Sequence, residues 1–261
     1  PEAMDSAQLA RNLSEGRGYP TRVLRPLSVD ILRQHGAISD EAPRAALPDI
    51  TNPPLYPLLL AGWMKVLPFE VEACESLRYQ PEVLINLLNH LLFLVALVQV
   101  FRLGNKLFDL PVAWCAALLF LGAELYWKFS ASGLPMMLLL VVFLALAKTL
   151  VRLEEQGNDG TPQGGGWFAG MALWAGALAG LGGLTRYGFA WVILPVLVYL
   201  GLFLGRHRGR TVAMALLPWS LKLSLLVTGA AATVLGGVGG CLLYTSPSPR
   251  DGLLSGMPSS A

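Results

Sequence analysis

The charges of this chain are few and unevenly placed, so the residues that could do chemistry stand out. Asn52-Pro53-Pro54-Leu55-Tyr56-Pro57 lies between a polar loop carrying acids and bases and a long series of apolar segments. A double proline fixes two φ angles and keeps the preceding residue out of the α region, so Asn52 ends an extended approach and a helix can begin only after it. The apolar helix therefore starts at a polar edge, and Asp49 stands three residues before Asn52 on that edge. Further along, Arg186 in Gly183-Leu184-Thr185-Arg186-Tyr187-Gly188 falls at a helix end. A guanidinium there suits bidentate phosphate recognition, or else snorkels to lipid headgroups. Arg78, ahead of the apolar segment from Val83, is a candidate of the same kind. Glu124, beside Tyr126 and Lys128, is either a functional intramembrane acid or one half of an i,i+4 pair with Lys128. His90, with Asn86 four residues before it and Asn89 adjacent, reads as a helix–helix hydrogen-bonding group rather than a ligand.

The elements that must position these residues are apolar. Hydrophobic residues make up 54% of the chain and charged residues 14%, with a mean hydropathy of +0.54; soluble domains carry roughly 25% charge. That composition belongs in a bilayer. The net charge of +2 is too small to argue for nucleic acid, and the basic residues fall in short clusters between apolar segments, where topology accounts for them. Cys74, Cys115 and Cys241 show neither metal-type spacing nor a disulfide framework.

Residues 1–51 read as polar and irregular, with one helical pattern. Ala7, Leu9, Ala10 and Leu13 form an apolar face that ends at Gly16 and Gly18. Spans are expected at Val83 to Phe101, Leu110 to Trp127, Leu134 to Val151, Trp167 to Leu184, Phe189 to Leu204 and Leu221 to Gly240, several near the lower end of the roughly 17–25 residues a crossing requires. Ala/Gly-rich faces in Gly170 to Gly183 suit close helix packing, and Gly157 to Gly166 reads as a flexible linker. There is no internal repeat.

Arg102 and Lys106 follow the first span, Lys148 and Arg152 the third, and Arg206, Arg208 and Arg210 the fifth. Alternate loops are basic, which puts them on the cytoplasmic side by the positive-inside rule. The connections near Ser130-Ala131-Ser132-Gly133 and Arg186-Tyr187-Gly188 then face outward, as do residues 70–81. The helix from Pro54 to Leu67 is read as interfacial or re-entrant, with Trp63 and Lys65 at headgroup level; the alternative is a seventh span with residues 1–51 inside.

The Pro-Pro-Leu stretch, with Glu2-Ala3-Met4-Asp5 and Ala10-Arg11-Asn12-Leu13 upstream, resembles the first external loop of polytopic glycosyltransferases of the GT-C class. That class includes the protein O-mannosyltransferases and the aminoarabinose transferases of lipid A. The run Leu184-Thr185-Arg186-Tyr187 resembles the corresponding turn, and the likeness covers about residues 1–205. It implies an all-α, polytopic transmembrane bundle with an N-terminal extracytoplasmic loop carrying short interfacial helices. By domain, residues 1–81 form that loop and 82–240 the bundle. It also implies inverting transfer of a sugar from a polyprenyl-phosphate donor to a lipid, glycan or protein acceptor on the outer face of a bacterial cytoplasmic membrane. Such a transfer needs a carboxylate base near the acceptor and cationic or hydrogen-bonding groups for the leaving phosphate.

The resemblance places that base at Glu2 or at Asp5, one turn further on and on the same side; the other reading of either is an acid that balances the helix dipole. Asp49, Asn52, Arg78, Glu124 and Arg186 are the candidates for binding phosphate or substrate. Asn52 stands where many members have His or Lys. Ser132-Gly133-Leu134-Pro135 lacks the acid often found there, which counts against a two-carboxylate, metal-bridging site, although a divalent metal is left open; no other cofactor is implied. The competing reading is a transporter or a catalytically silent membrane protein of similar layout, against which the acids collect in an outer loop rather than at related midplane positions.

Cys241-Leu242-Leu243-Tyr244-Thr245-Ser246-Pro247-Ser248-Pro249-Arg250-Asp251 resembles the translation of a transposase-type sequencing adapter, and Met257-Pro258-Ser259-Ser260-Ala261 fits the primer that would follow it. Residues 241–261 are therefore set aside as non-native. With Pro1 in place of an initiator Met, the chain reads as an open reading frame cut at both ends.

Overall fold

The computed structural model describes residues 2–17, 19–21, 47–48, 52–67, 80–158, 165–202 and 229. Asp49, Cys74, Arg78, the basic run at 206–210, the expected span at 221–240 and residues 241–261 lie outside them. The fold is helical, and the chain divides into two compact units, one built on Pro1–Pro68 and one on Phe69–Gly237.

In the first unit, α1 (Glu2–Ser14) packs on α2 (Leu55–Val66). Leu9 and Ala10 from α1 and Tyr56, Leu60 and Ala61 from α2 are buried. The expected glycine stop is a Schellman turn. Gly16 takes φ +75, its N–H donates to the Leu13 carbonyl at 3.2 Å, and the Arg17 N–H reaches the Asn12 carbonyl at 2.8 Å. Pro54 is the N-cap of α2, as the double proline dictates. At 12 residues α2 is roughly 18 Å long, well short of a hydrocarbon core of about 30 Å.

Between the two helices a two-residue antiparallel ladder joins β1 (Pro20–Thr21) to β2 (Leu47–Pro48), in the register Pro20 to Pro48 and Thr21 to Leu47. The ladder is absent from the sequence reading, since two residues carry no periodicity.

Glu15 closes α1 electrostatically. It accepts from Arg11 Nε at 2.9 Å and pairs with Arg17 Nη2 at 2.9 Å. The Arg11 hydrogen bond, aided by the Arg17 charge, holds its carboxyl below the ordinary value. The folded value is the depressed one, so the pair's contribution is complete above 4.5 and is lost as pH falls through the lower folded value. Protection of the Gly16 and Arg17 amides, taken relative to their intrinsic exchange rates, should fall in that acid range, and Glu15→Gln should abolish that fall.

The second unit holds α3 (Gln80–Leu107), α4 (Leu110–Gly122), α5 (Glu124–Ala131), α6 (Met136–Asn158), α7 (Gly165–Thr185), a 3-10 turn (Tyr187–Val192) and α8 (Ile193–Leu202). Two of the described helices, α3 and α6, are long and apolar enough to cross a membrane, and a third crossing exists if α4 and α5 are one span. Leu91, Leu94, Val98, Trp114, Leu118 and Leu119 lie exposed on α3 and α4, a distribution that suits lipid and not water.

The expected span at 110–127 is corrected to a broken one. α4 stops at Gly122, Ala123 is extended (φ −77, ψ 112), and α5 departs at 56°. Glu124 opens the new helix at its positive end. The break is bracketed by aromatic groups: the Trp127 indole donates to the Leu121 carbonyl at 2.7 Å, so a helix-end acceptor is satisfied, and Phe120 stacks on Tyr126 at 4.2 Å. The expected linker also shortens, for α6 runs on to Asn158 and α7 begins at Gly165. The fifth expected span begins as the 3-10 turn rather than as α-helix.

Small residues do serve close packing on α7. Ala172 and Ala175 are buried against Leu146 and Leu153 of α6. A Cβ on Gly182 would overlap the Phe189 ring, which folds back onto the helix there. Gly182→Ala must displace that ring, and a cost of about 1–3 kcal/mol is expected in detergent thermal melts.

Candidate functional site

The first unit carries three of the sequence candidates. Glu2 and Asp5 both belong to α1, and Asp5 is half-buried. Asn52 sits at the bend before α2, where its carbonyl accepts a 3.0 Å hydrogen bond from the Tyr19 hydroxyl. Tyr19 is buried, so this bond ties the glycine-ended helix to the proline-led one. Sequence reasoning missed Tyr19; its place between Gly18 and Pro20 was the available signal, an aromatic residue fixed by two turn formers.

Glu124 and Arg186 belong to the second unit. Glu124 is paired with Lys128 at 2.8 Å, and both side chains are largely exposed. Such a pair contributes about 0.3–0.5 kcal/mol to a helix, and it gives Glu124 a structural role. His90 is a correction. Its Nδ1 donates to the Asn86 carbonyl of its own helix at 2.7 Å rather than across a helix interface, while its ring lies 6.2 Å from that of Trp127.

Arg186 is exposed and extended (φ −154, ψ 119) between α7 and the 3-10 turn. Its N–H continues the α7 ladder to the Gly182 carbonyl at 2.9 Å, and its own carbonyl accepts from Phe189 at 2.8 Å. Both backbone groups are thus occupied, which fixes where the side chain starts. Its Nη1 meets only the Met136 sulfur, at 3.4 Å, a weak acceptor; among the described residues no carboxylate pairs with it. Met136 and Phe189 also line an apolar groove of about 240 Å³ with Tyr126, Phe129, Leu140 and Phe143. An uncompensated guanidinium therefore borders an apolar slot. The sequence flagged the arginine but not the groove, whose walls come from three separate elements.

The two basic stretches expected on one side do share one end of this unit. Lys106 pairs with Glu155 at 2.5 Å, and Arg102, Lys148 and Arg152 line a common groove. Arg186, Met136 and the α5–α6 turn lie together at a different place along α6, near its start. Among the described residues no three His, Cys, Asp or Glu side chains converge. No protein-family model, curated protein or solved structure matches this chain.

Proposed function

We propose that this chain is a polytopic membrane glycosyltransferase that moves a sugar from a polyprenyl-phosphate donor to a lipid, glycan or protein acceptor at the outer face of a bacterial cytoplasmic membrane. The observation that carries the reading is Arg186, without a carboxylate partner among the described residues, at the rim of the groove lined by Met136, Phe143 and Phe189. A lipid phosphate has that make-up, an anionic head on a long apolar chain. The reaction needs a carboxylate to take the proton from the acceptor hydroxyl as its oxygen attacks the anomeric carbon, a role for which the resemblance offers Glu2 or Asp5. The bond from that carbon to the phosphate oxygen breaks, and Arg186 meets the negative charge gained by the phosphate. Asn52 contributes an amide to sugar or phosphate, and Asp49, Arg78 and Glu124 remain binding candidates. One displacement inverts the anomeric centre.

Transfer of radiolabelled sugar from a polyprenyl-phosphate donor, in vesicles carrying the chain, tests this. The variant lacking the base, Glu2→Gln or Asp5→Asn, should lose on the order of 10²-fold in rate. The other acid, if it only balances the helix dipole, should cost about 1 kcal/mol of stability and leave turnover intact. Wild-type rates in both would sink the assignment. Orientation is tested separately in a background without native cysteines: single cysteines at 152 and 187 should label from opposite sides. Labelling from one side would refute the topology.

The bend between α4 and α5 favours a second reading, since broken helices line transporter sites. Solute uptake by sealed vesicles, with no donor-dependent transfer, would put the transporter first.

A further inference from the structure

At the basic end of the second unit, α3 and α6 leave an open groove of about 500 Å³. Arg102 enters it from α3, Lys148 and Arg152 from α6, with Gln99 and Thr149 between them. Arg102 and Arg152 share this space with the Lys148 ammonium. The acids close by are engaged elsewhere. Glu155 holds Lys106 at 2.5 Å, and Glu154 accepts from the Tyr199 hydroxyl at 2.5 Å. Among the described residues, Arg102, Lys148 and Arg152 thus face one space without a carboxylate partner.

Two further observations define what would fill it. The Gln99 Oε1 is buried and has no hydrogen-bond donor among the described residues, an arrangement that costs free energy unless a ligand supplies one. Beside the cations, Leu94, Val98 and Trp174, each about half exposed, extend the groove as an apolar wall. The groove runs from the middle of α3 and α6, the two helices long and apolar enough to cross a membrane, toward their C-terminal ends, with Arg102 and Arg152 at its outer part. Basic pockets between spanning helices bind anionic headgroups, and tryptophan favours the same layer.

The geometry points to a binding site for an anionic phospholipid with a hydroxylated headgroup: the phosphate lies among Arg102, Lys148 and Arg152, a headgroup hydroxyl donates to Gln99 Oε1, and an acyl chain follows Leu94, Val98 and Trp174. Phosphatidylglycerol is the simplest lipid of that chemistry. The site is independent of Arg186 and of the transferase reading, so either can fail alone.

Native mass spectrometry of the purified chain in detergent, titrated with phosphatidylglycerol and phosphatidylcholine, tests it. The chain should retain phosphatidylglycerol with a preference on the order of tenfold or more, because its basic residues attract an anionic headgroup and not a zwitterionic one. Lys148→Gln with Arg152→Gln should bring the preference near unity, while Arg152→Lys keeps it. Gln99→Leu, which adds no charge, should lower phosphatidylglycerol binding but not phosphatidic acid binding, so a fold defect in the double variant does not decide the matter. An unchanged preference in the double variant, or displacement of the lipid by millimolar inorganic phosphate, would overturn the proposal; the latter would mean a soluble-anion site.

Discussion

Arg186→Ala is expected to reduce sugar transfer by roughly 10²–10³-fold, the loss typical when one preorganised donor to a developing charge is removed. The size follows from its surroundings. Its guanidinium is exposed and among the described residues holds only a sulfur at 3.4 Å, so none of these has to move for it to meet a phosphate, and no carboxylate among them is left stranded when it goes. Its backbone bonds to Gly182 and from Phe189 are made by any residue, so the 3-10 turn should persist in the variant and melting should be unaffected. Arg186→Lys keeps the charge but loses the planar fork and should recover only part of the rate. Transfer kinetics and thermal melts of both variants check this. A wild-type rate for Arg186→Ala would reduce the arginine to a headgroup anchor.

Phe93→Ala should be the most destabilising single truncation, by about 3–5 kcal/mol. Phe93 is 1% exposed, stacks on Phe120 of α4 at 5.3 Å and tilts against Trp127 of α5 at 5.1 Å. One ring therefore touches both sides of the break at Ala123, and each aromatic pair adds about 0.5–1.5 kcal/mol beyond its buried area. Its removal leaves a cavity and frees the Trp127 indole to leave the Leu121 carbonyl. Phe93→Leu, which keeps most of the volume, should cost much less. Unfolding in detergent followed by tryptophan fluorescence measures the difference; equal melting of Phe93→Ala and wild type would show that the bend is held by other contacts.

What the sequence revealed was whatever a local rule controls. Gly16 ends α1 because only a residue tolerant of positive φ closes that turn, and Pro54 opens α2 because its ring forbids an earlier start. Arg186 was legible because a charged residue among apolar ones must have a reason. The hidden features are those set by packing between segments distant in sequence. Gly122-Ala123-Glu124 contains no proline, and Phe93, distant in sequence, packs on both sides of the bend there. Gln99 reads as one polar residue on an apolar helix until α6 brings Lys148 and Arg152 beside it. The small-residue stretch of α7 suggested close packing, but not that Phe189 would use Gly182 as its seat.

The Tyr19 hydroxyl reaches Asn52 across a sequence separation of 33, with the β1–β2 ladder just inside it. Closing a loop costs free energy only with the logarithm of its length, about 0.6 kcal/mol for each doubling. Residues 22–46 can therefore grow, shrink or be exchanged over evolutionary time while α1 and α2 stay in register, since the clasp and not the intervening length sets their spacing. Chimaeras that swap 22–46 for segments of other lengths should retain the α1–α2 pair.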